Sequence, residues 1–249
     1  MQTLLGVDWR RAWIERGQRR RAPSDSAYWD QRSQEFKEHS GISKYTDTFL
    51  NLLPLEPGWS VLDMGTGPGT LAIPLAQRGH PVIAADFSPG MIRAAQERAA
   101  DLGLDTIQFT TLDWGEDWQA AGIHPKSVDV AVASRSTIVV DLGDALDKLN
   151  ATARHLAAIT MVTEFSPRGF KPRGSVQDDT DAFIPDFIFG VNALFQMGAY
   201  PALHYIDTIH GNDDNAGKNL VRWAYIAWKP VERPTETTEV APPAENRVR

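Results

Sequence analysis

The sequence has 249 residues, of which 42% are hydrophobic and 23% are charged, which is typical of a soluble enzyme with one elaborated domain. The formal net charge of −7 disfavours a nucleic-acid substrate, because proteins that wrap a phosphate backbone usually carry an excess of basic residues. The chain has no cysteine, which excludes disulfides, thiolate metal sites and cysteine nucleophiles.

The first segment, residues 1–21, is rich in arginine and lacks the apolar core of a signal peptide. No apolar run in the chain is long enough for a membrane span, so we expect a soluble, cytoplasmic protein. The segment predicts an amphipathic helix with solvated arginines, and contact with an anionic substrate or a partner is the alternative. Residues 24–26 predict an N-cap before Tyr28, and a further helix is predicted at 44–53.

Strands and helices alternate through the middle of the chain. Apolar runs predict buried strands at 60–64, 81–85, 106–110, 127–133 and 157–163. Amphipathic runs predict helices at 70–79, 89–102 and 144–156. This alternation is typical of a parallel sheet with helices on both faces.

The last part of the chain follows a different pattern. Residues 166–182 are polar and predict either a substrate lid or a solvated loop. The apolar run at 183–197 predicts a helix, which either roofs the substrate pocket or belongs to the core. Residues 202–209 and 220–229 predict the two strands of a hairpin. The tail from residue 232 is rich in Pro, Thr and Glu, which predicts disorder.

A glycine-rich loop, Asp-Met-Gly-Thr-Gly-Pro-Gly at residues 63–69, lies between the first predicted strand and the next helix. Glycines permit a tight turn and a close approach of a ligand, and the start of the helix is expected to supply unpaired N–H groups. Asp63 comes two residues before the first glycine, and the spacing differs from the Gly-x-Gly-x-x-Gly of dinucleotide-binding loops. A carboxylate repels a pyrophosphate and attracts a cation. The loop therefore favours S-adenosylmethionine (SAM), which carries an ammonium and a sulfonium but no phosphate.

Candidate ligand side chains follow at the ends of the next strands, where open α/β sheets bind ligands. Asp86 ends the second strand, and we expect its carboxylate to accept both ribose hydroxyls. Phe87 and Met91 are candidates for packing on the adenine.

The third and fourth strands end in further candidates. Asp113 offers an acceptor for the adenine amino group, and Trp114 offers an aromatic wall. Ser134 and Arg135 are expected beneath the methionyl and sulfonium end. Two structural alternatives stay open, in which Asp63 only caps the glycine turn and Trp114 is a core residue.

These motifs, taken in order, resemble the class I SAM-dependent methyltransferases, and among them the small-molecule branch. Residues 61–92 are similar to the first two motifs of that family, 111–117 to the third and 128–139 to the fourth. The terminal hairpin resembles the last two strands of the family's sheet, and the likeness covers roughly residues 28–229. The resemblance implies an α/β fold with a seven-stranded, mostly parallel sheet, helices on both faces, an antiparallel last strand and an N-terminal helical cap.

The same resemblance implies roles and boundaries. Gly65, Thr66 and Gly67 contact the cofactor, Asp86 holds the ribose, Asp113 and Trp114 frame the adenine, and Asp63 acts through water or by organising the loop. The product is S-adenosylhomocysteine (SAH). We expect the cap over residues 1–57, the Rossmann-like domain over 58–231 with the lid loop and helix at 166–198, and the disordered tail over 232–249.

The methyl acceptor is harder to read, because methyl transfer requires alignment more than a fixed set of catalytic groups. Weak acceptor-side candidates are Tyr28, Arg135 and Glu164; Arg135 would pair with an acidic substrate, although a structural salt bridge is the commoner fate of arginine. The motif Asn/Asp-Pro-Pro-Tyr/Phe, by which the family methylates nucleic-acid amino groups, is missing after the fourth strand, and no carboxylate follows before Asp141.

We therefore expect a metal-independent methyltransferase for an unidentified small molecule. None of the three histidines His124, His204 and His210 has metal-ligand spacing. The alternatives are a methyltransferase for a protein or RNA, a non-catalytic SAM-binding protein that acts through a partner, and a nicotinamide-dependent oxidoreductase. Monomer and homodimer are both open.

Overall fold

The computed structural model describes residues 6–18, 26–36, 43–163, 184–210 and 219–232. The predicted loop at 166–182 and nearly all of the predicted tail lie outside these residues. None of the described helices is long and apolar enough to cross a membrane.

The described residues form seven helices and seven strands. The helices are α1 (Trp9–Gln18), α2 (Ser26–Phe36), α3 (Lys44–Leu52), α4 (Ala72–Gln77), α5 (Pro89–Asp101), α6 (Leu142–Thr152) and α7 (Asp186–Gln196). The strands are β1 (Val61–Met64), β2 (Val82–Asp86), β3 (Ile107–Thr111), β4 (Val128–Ser134), β5 (Ala153–Val162), β6 (Ala202–His210) and β7 (Asn219–Trp228).

The strands form one sheet in the order β3-β2-β1-β4-β5-β7-β6. The first five are parallel, and β7 is antiparallel to both of its neighbours. This confirms the predicted seven-stranded sheet with an antiparallel last strand. Parallel strands end at one edge of a sheet, so the ends of β1, β2, β3 and β4 lie side by side there.

Helices cover both faces of the sheet, because side chains along a buried strand alternate between the faces. In β1, Leu62 and Met64 join a core that includes Trp9 of α1 and side chains of α6 and α7. Val61 joins the opposite core, which includes Phe49 of α3 and side chains of α4. The N-terminal helices α1 and α3 therefore lie on opposite faces of the sheet.

The predicted boundary between the helix at 144–156 and the fifth strand is wrong. Helix α6 begins at Leu142, where the Asp141 side chain caps it by accepting the N–H of Asp144 at 3.0 Å, and it ends at Thr152. Strand β5 begins at the next residue because the polar side chains there have partners outside a helix. Arg154 bonds to Asp129 at 2.9 Å, and His155 stacks on Trp59. Tertiary contacts thus override a local helical pattern.

Candidate cofactor site

The loop after β1 turns sharply through three glycines with left-handed backbones. The φ angles are 75° at Gly65, 55° at Gly67 and 80° at Gly69. A Cβ on Gly65 would lie 2.2 Å from Cβ of Ser136, whereas a Cβ on Gly67 would meet nothing within 4 Å. Gly65 is thus required by packing inside the protein, and Gly67 leaves its backbone open to a ligand.

The N–H groups of this loop are bonded within the protein. Their acceptors are Ala85 O for Gly65 and Thr66 (2.7 and 2.9 Å), the Asp86 carboxylate for Gly67 (2.8 Å), and Thr66 O for Gly69 and Thr70 (3.1 and 3.3 Å). The prediction that the start of the helix supplies unpaired N–H groups is wrong for Thr70 and for Ile73, whose N–H donates to Gly69 O at 3.1 Å. Phosphates bind to free N–H donors, so a loop whose donors are already bonded suits a cofactor without a pyrophosphate.

Asp63 is buried beneath the loop with 1% of its surface exposed. Its carboxylate accepts the hydroxyl of Thr66 at 2.7 Å and the N–H of Ala72 at the start of α4. Burial raises the pKa of Asp63 to about 7, and these hydrogen bonds only partly oppose that effect. The contacts support the interpretation in which Asp63 organises the loop. A cation bound near it would stabilise the charged form of the carboxylate.

Asp86 ends β2 and links the glycine loop to the next helix. Its Oδ2 accepts the N–H of Gly67 at 2.8 Å, and its Oδ1 accepts the N–H of Ser88 at 2.9 Å. Burial raises the pKa of Asp86. An ionised carboxylate offers about four acceptor positions, so each oxygen keeps capacity for one ribose hydroxyl.

Helix α2 docks on the first turn of α5 through Asp30, a residue that the sequence analysis did not identify. The Oδ1 of Asp30 accepts the Ser88 hydroxyl at 2.6 Å and the N–H of Gly90 at 2.7 Å. A Cβ on Gly90 would lie 2.7 Å from that oxygen, so only glycine permits this approach. The two hydrogen bonds lower the pKa of Asp30. Its partners are about 60 residues away along the chain, so no local pattern indicates the contact.

The predicted adenine-side residues lie after β2 and after β3. Met91 is buried and Phe87 is half-buried at the start of α5. Asp113 is exposed, and its Oδ1 accepts the N–H of Gly115 at 2.7 Å. Trp114 is half-buried. One part of its side chain packs against the core on the α1 face, and the rest is exposed to solvent.

Ser136, in the loop after β4, joins three of these strand ends. Its hydroxyl donates to Met64 O at 2.8 Å, and its carbonyl accepts the indole N–H of Trp114 at 3.2 Å. Its Cβ is also the atom with which a Cβ at position 65 would clash, so it excludes any side chain there. The sequence showed that a serine follows Arg135, but it carried no signal for these contacts.

The predicted acceptor-side residue Arg135 follows β4, where the ends of β4 and β5 meet helix α3. The phenol oxygen of Tyr45, on α3, lies 2.7 Å from both Ser134 Oγ and Thr160 Oγ1. The N–H of Arg135 donates to Thr160 Oγ1 at 2.9 Å. The Arg135 guanidinium lies over the Tyr45 ring, 4.3 Å from its centroid, and 6.0 Å from the centroid of Trp223. Burial raises the pKa of Tyr45, so this phenol is neutral near pH 7.

The other two acceptor-side candidates are less informative. Tyr28 is 42% exposed and accepts a hydrogen bond from Arg32 on the same helix at 2.8 Å. Glu164 lies outside the described residues. Among the described side chains, no group of three or more His, Asp or Glu is placed to hold a metal ion.

The sheet order and the glycine loop followed by an acidic residue at the end of β2 define a Rossmann-like SAM-dependent methyltransferase. The comparison with known proteins agrees: a family model described as a methyltransferase domain matches residues 61–158. The chain belongs to the class I SAM-dependent methyltransferases, whose methyl donor is SAM.

The similar proteins include one without an assigned activity and two named methyltransferases. An uncharacterized protein of Haemophilus influenzae is 33% identical over 187 residues, which are 74% of this chain and 67% of that protein. Aklanonic acid methyltransferase DauC of Streptomyces sp. (strain C5) is 30% identical over 143 residues, 53% of this chain and 61% of that protein. Magnesium protoporphyrin IX methyltransferase (ChlM) of Synechocystis PCC 6803, crystallised with SAH, has a TM-score of 0.54, 17% identity, and coverage of 91% of this chain and 95% of that one.

Proposed function

We propose that this enzyme transfers the SAM methyl group to a small-molecule acceptor by in-line displacement, without a metal ion. The observation that carries the proposal is the composition of the acceptor side at the ends of β4 and β5. The exposed Arg135 and the half-buried Ser134 and Trp223 meet there, supported from beneath by the buried Tyr45 and Thr160. These groups suit binding of a small polar molecule, whereas a magnesium site would need clustered carboxylates.

The cofactor roles proposed for the site residues follow from their positions at the ends of β1, β2 and β3. Gly65 and Gly67 shape the loop, and Gly67 gives the cofactor backbone access. Asp86 accepts the ribose hydroxyls through its remaining lone pairs. Phe87, Met91 and Trp114 provide apolar walls for the adenine, and Asp113 provides an acceptor near it.

Ser134 and the loop residue Thr66 complete this proposal on the methionyl side. Ser134 Oγ is held by the Tyr45 hydroxyl at 2.7 Å, which fixes its direction at the end of β4. The Thr66 hydroxyl is held by Asp63. Fixed polar groups of this kind orient bound reactants at little entropic cost.

The chemistry requires little of the protein beyond alignment. Bound SAM supplies a sulfonium-activated methyl group. The chain's residues hold donor and acceptor in line and exclude water. A general base is needed only for an acceptor that loses a proton during attack. The raised pKa of the buried Tyr45 makes its phenol a poor base near neutral pH, so we assign it a positioning role.

Two further findings support a small acceptor. The relative DauC is named for aklanonic acid, a small molecule, and it is similar over 53% of this chain. The chain's net charge of −7 opposes binding to the phosphate backbone of RNA.

The direct test is a labelling experiment with SAM that carries an isotopic methyl group. The enzyme is incubated separately with a low-molecular-weight extract, with purified RNA and with purified protein. We expect label in the low-molecular-weight pool only, and none with the Asp86→Ala variant. Label in RNA or protein would overturn the small-molecule assignment, and no label in any pool would favour a non-catalytic SAM-binding protein.

A further inference from the structure

Arg135 is held in a strained backbone conformation at the end of β4. Its φ of 57° is left-handed, and among the described non-glycine residues only Lys126 shares this feature. A left-handed backbone costs free energy for a side chain with a Cβ, and such strain is often found at binding sites. The N–H of Arg135 donates to the Thr160 hydroxyl at 2.9 Å, which holds the turn in place.

The strained turn places the guanidinium on an aromatic surface. We call Arg135, Tyr45 and Trp223 the Arg135 shelf. The guanidinium carbon lies 4.3 Å from the Tyr45 ring centroid and 6.0 Å from that of Trp223. The Tyr45 ring is itself buried, edge-to-face with Trp223, and fixed by hydrogen bonds to Ser134 and Thr160. The side chain of Arg135 therefore has a rigid support.

Arg135 is exposed, and no carboxylate of the described residues pairs with its guanidinium. Other arginines of the described chain do form ion pairs: Arg10, Arg11, Arg16, Arg154 and Arg222. The Arg135 guanidinium, 4.3 Å from the Tyr45 ring centroid, carries five N–H donors in a planar fork. That fork matches the two oxygens of a carboxylate.

We propose that the Arg135 shelf binds a carboxylate of the methyl acceptor, so that the substrate is an organic acid. The inference rests on the proposed function, since it assigns the acceptor class of the same site. The shelf offers one guanidinium, and the chain is acidic overall, so a single carboxylate fits it better than a polyanion. The half-buried ring of Trp223 beside the cation suits an acid with an apolar or aromatic body.

The test uses benzoate, a minimal aromatic carboxylate, and benzamide, its neutral isostere. Each is titrated into the SAH-bound protein and followed by ligand-observed NMR. For a ligand of this size we expect the wild type to bind benzoate with a Kd on the order of 10 mM or tighter. Benzamide should bind at least about tenfold more weakly, because it cannot accept two charge-assisted hydrogen bonds.

Three variants sharpen the result. Arg135→Gln should reduce the affinity for benzoate to that for benzamide, and Arg135→Lys should retain part of it, since an ammonium keeps the charge but not the fork. Arg78→Gln is the matched control, because Arg78 is exposed at the end of α4, and its benzoate affinity should equal that of the wild type.

The inference is overturned if benzoate fails to bind, if benzamide binds equally well, or if Arg135→Gln leaves the benzoate affinity unchanged. Tighter binding of phenyl phosphate than of benzoate would overturn the choice of a carboxylate. A calorimetric SAH titration of the wild type distinguishes a wrong acceptor class from a wrong proposed function. If SAH binds but benzoate does not, only the acceptor class is wrong. If SAH does not bind, the function itself is wrong.

Discussion

The carboxylate of Asp86 accepts a hydrogen bond from the backbone N–H of Gly67 at 2.8 Å. This contact joins the end of β2 to the loop after β1. The second oxygen of Asp86 accepts the N–H of Ser88, which caps α5. Asp86, the proposed ribose-binding residue, and the glycine-rich loop are therefore one hydrogen-bonded unit, and a change in either should disturb both.

Alanine substitutions at two glycines of the loop should separate packing from ligand access. Gly65→Ala forces a Cβ to 2.2 Å from Ser136 in a left-handed backbone, so we expect the free energy of unfolding to fall by about 2–4 kcal/mol. Gly67→Ala faces open space and should cost only about 1 kcal/mol from backbone strain. Urea unfolding measures both. Equal losses of unfolding free energy in the two variants would contradict the close packing of Gly65 against Ser136.

The same pair should behave differently towards the cofactor. Gly67→Ala places a methyl group where the ligand approaches the backbone, so SAH affinity should fall by at least about tenfold despite the small loss of stability. An unchanged SAH affinity in Gly67→Ala would show that the cofactor does not approach this part of the loop.

Asp63 should make the unliganded protein less stable as the pH rises. The pKa of its carboxyl is about 7 in the folded state and 3.8 when the side chain is free in water, so the folded state holds a proton that the unfolded state has already lost. Stability is therefore fully present below about pH 4 and is lost as the pH rises through about 7.

Asp63→Asn keeps an oxygen that accepts the Thr66 hydroxyl and removes the titration. We expect the melting temperatures of wild type and variant to be similar near about pH 5, and the variant to be the more stable of the two near about pH 8. Thermal unfolding at the two pH values measures this. A difference between the proteins that is independent of pH would rule out a raised pKa at Asp63.

Asp30 should stabilise the contact between α2 and α5. Asp30→Ala leaves the Ser88 hydroxyl and the Gly90 N–H without their acceptor, which should lower the free energy of unfolding by about 1–2 kcal/mol. Asp30→Asn keeps an acceptor oxygen and should lose less. Asp101→Ala, at the exposed end of α5, is the control. If Asp30→Ala unfolds at the same urea concentration as this control, the docking contact contributes nothing.

Two arginines of the N-terminal helix should contribute very differently to stability. Arg16 pairs with Asp186 at 3.1 Å, with side-chain exposures of 18% and 12%, and it also donates to Ile184 O. Arg16→Gln should therefore cost about 2–3 kcal/mol. Arg11 pairs with Glu15 in solvent, with exposures of 76% and 54%, so Arg11→Gln should change nothing measurable. Similar urea midpoints for the two variants would contradict a structural role for Arg16.

Much of the sheet and the cofactor loop could be predicted from sequence, because their signals are local. The apolar run before Gly65, the glycine spacing, and the Ser-Pro pair after Asp86 each lie within a few residues. The prediction of solvated arginines fits Arg10, whose side chain is 49% exposed, but not Arg16, whose side chain is 18% exposed; the two form ion pairs with Asp141 and Asp186. Those partners lie 131 and 170 positions away along the chain, beyond the reach of a local pattern.

The predicted acceptor side was the hardest part to predict from sequence, because its contacts also join residues that are far apart along the chain. Tyr45 could be placed on the apolar face of a helix, but its hydrogen bond to Thr160 spans 115 positions of sequence. Trp223 could be predicted only as part of a strand, and its position near Arg135 follows from the insertion of β7 beside β5. The strained φ of Arg135 has no sequence signature, since glycine is the residue that normally marks such a turn.

Calorimetric titration with SAH, set beside NAD and the Asp86→Ala variant, tests directly whether the glycine-rich loop and Asp86 bind this cofactor. We expect the wild type to bind SAH with a micromolar Kd and not to bind NAD. We also expect Asp86→Ala to lose about 100-fold in SAH affinity with an unchanged circular dichroism spectrum, because two hydrogen bonds to a charged acceptor are removed. Asp101→Ala should bind SAH like the wild type. Micromolar binding of NAD alone, or an Asp86→Ala affinity within a few-fold of the wild type, would contradict this cofactor assignment.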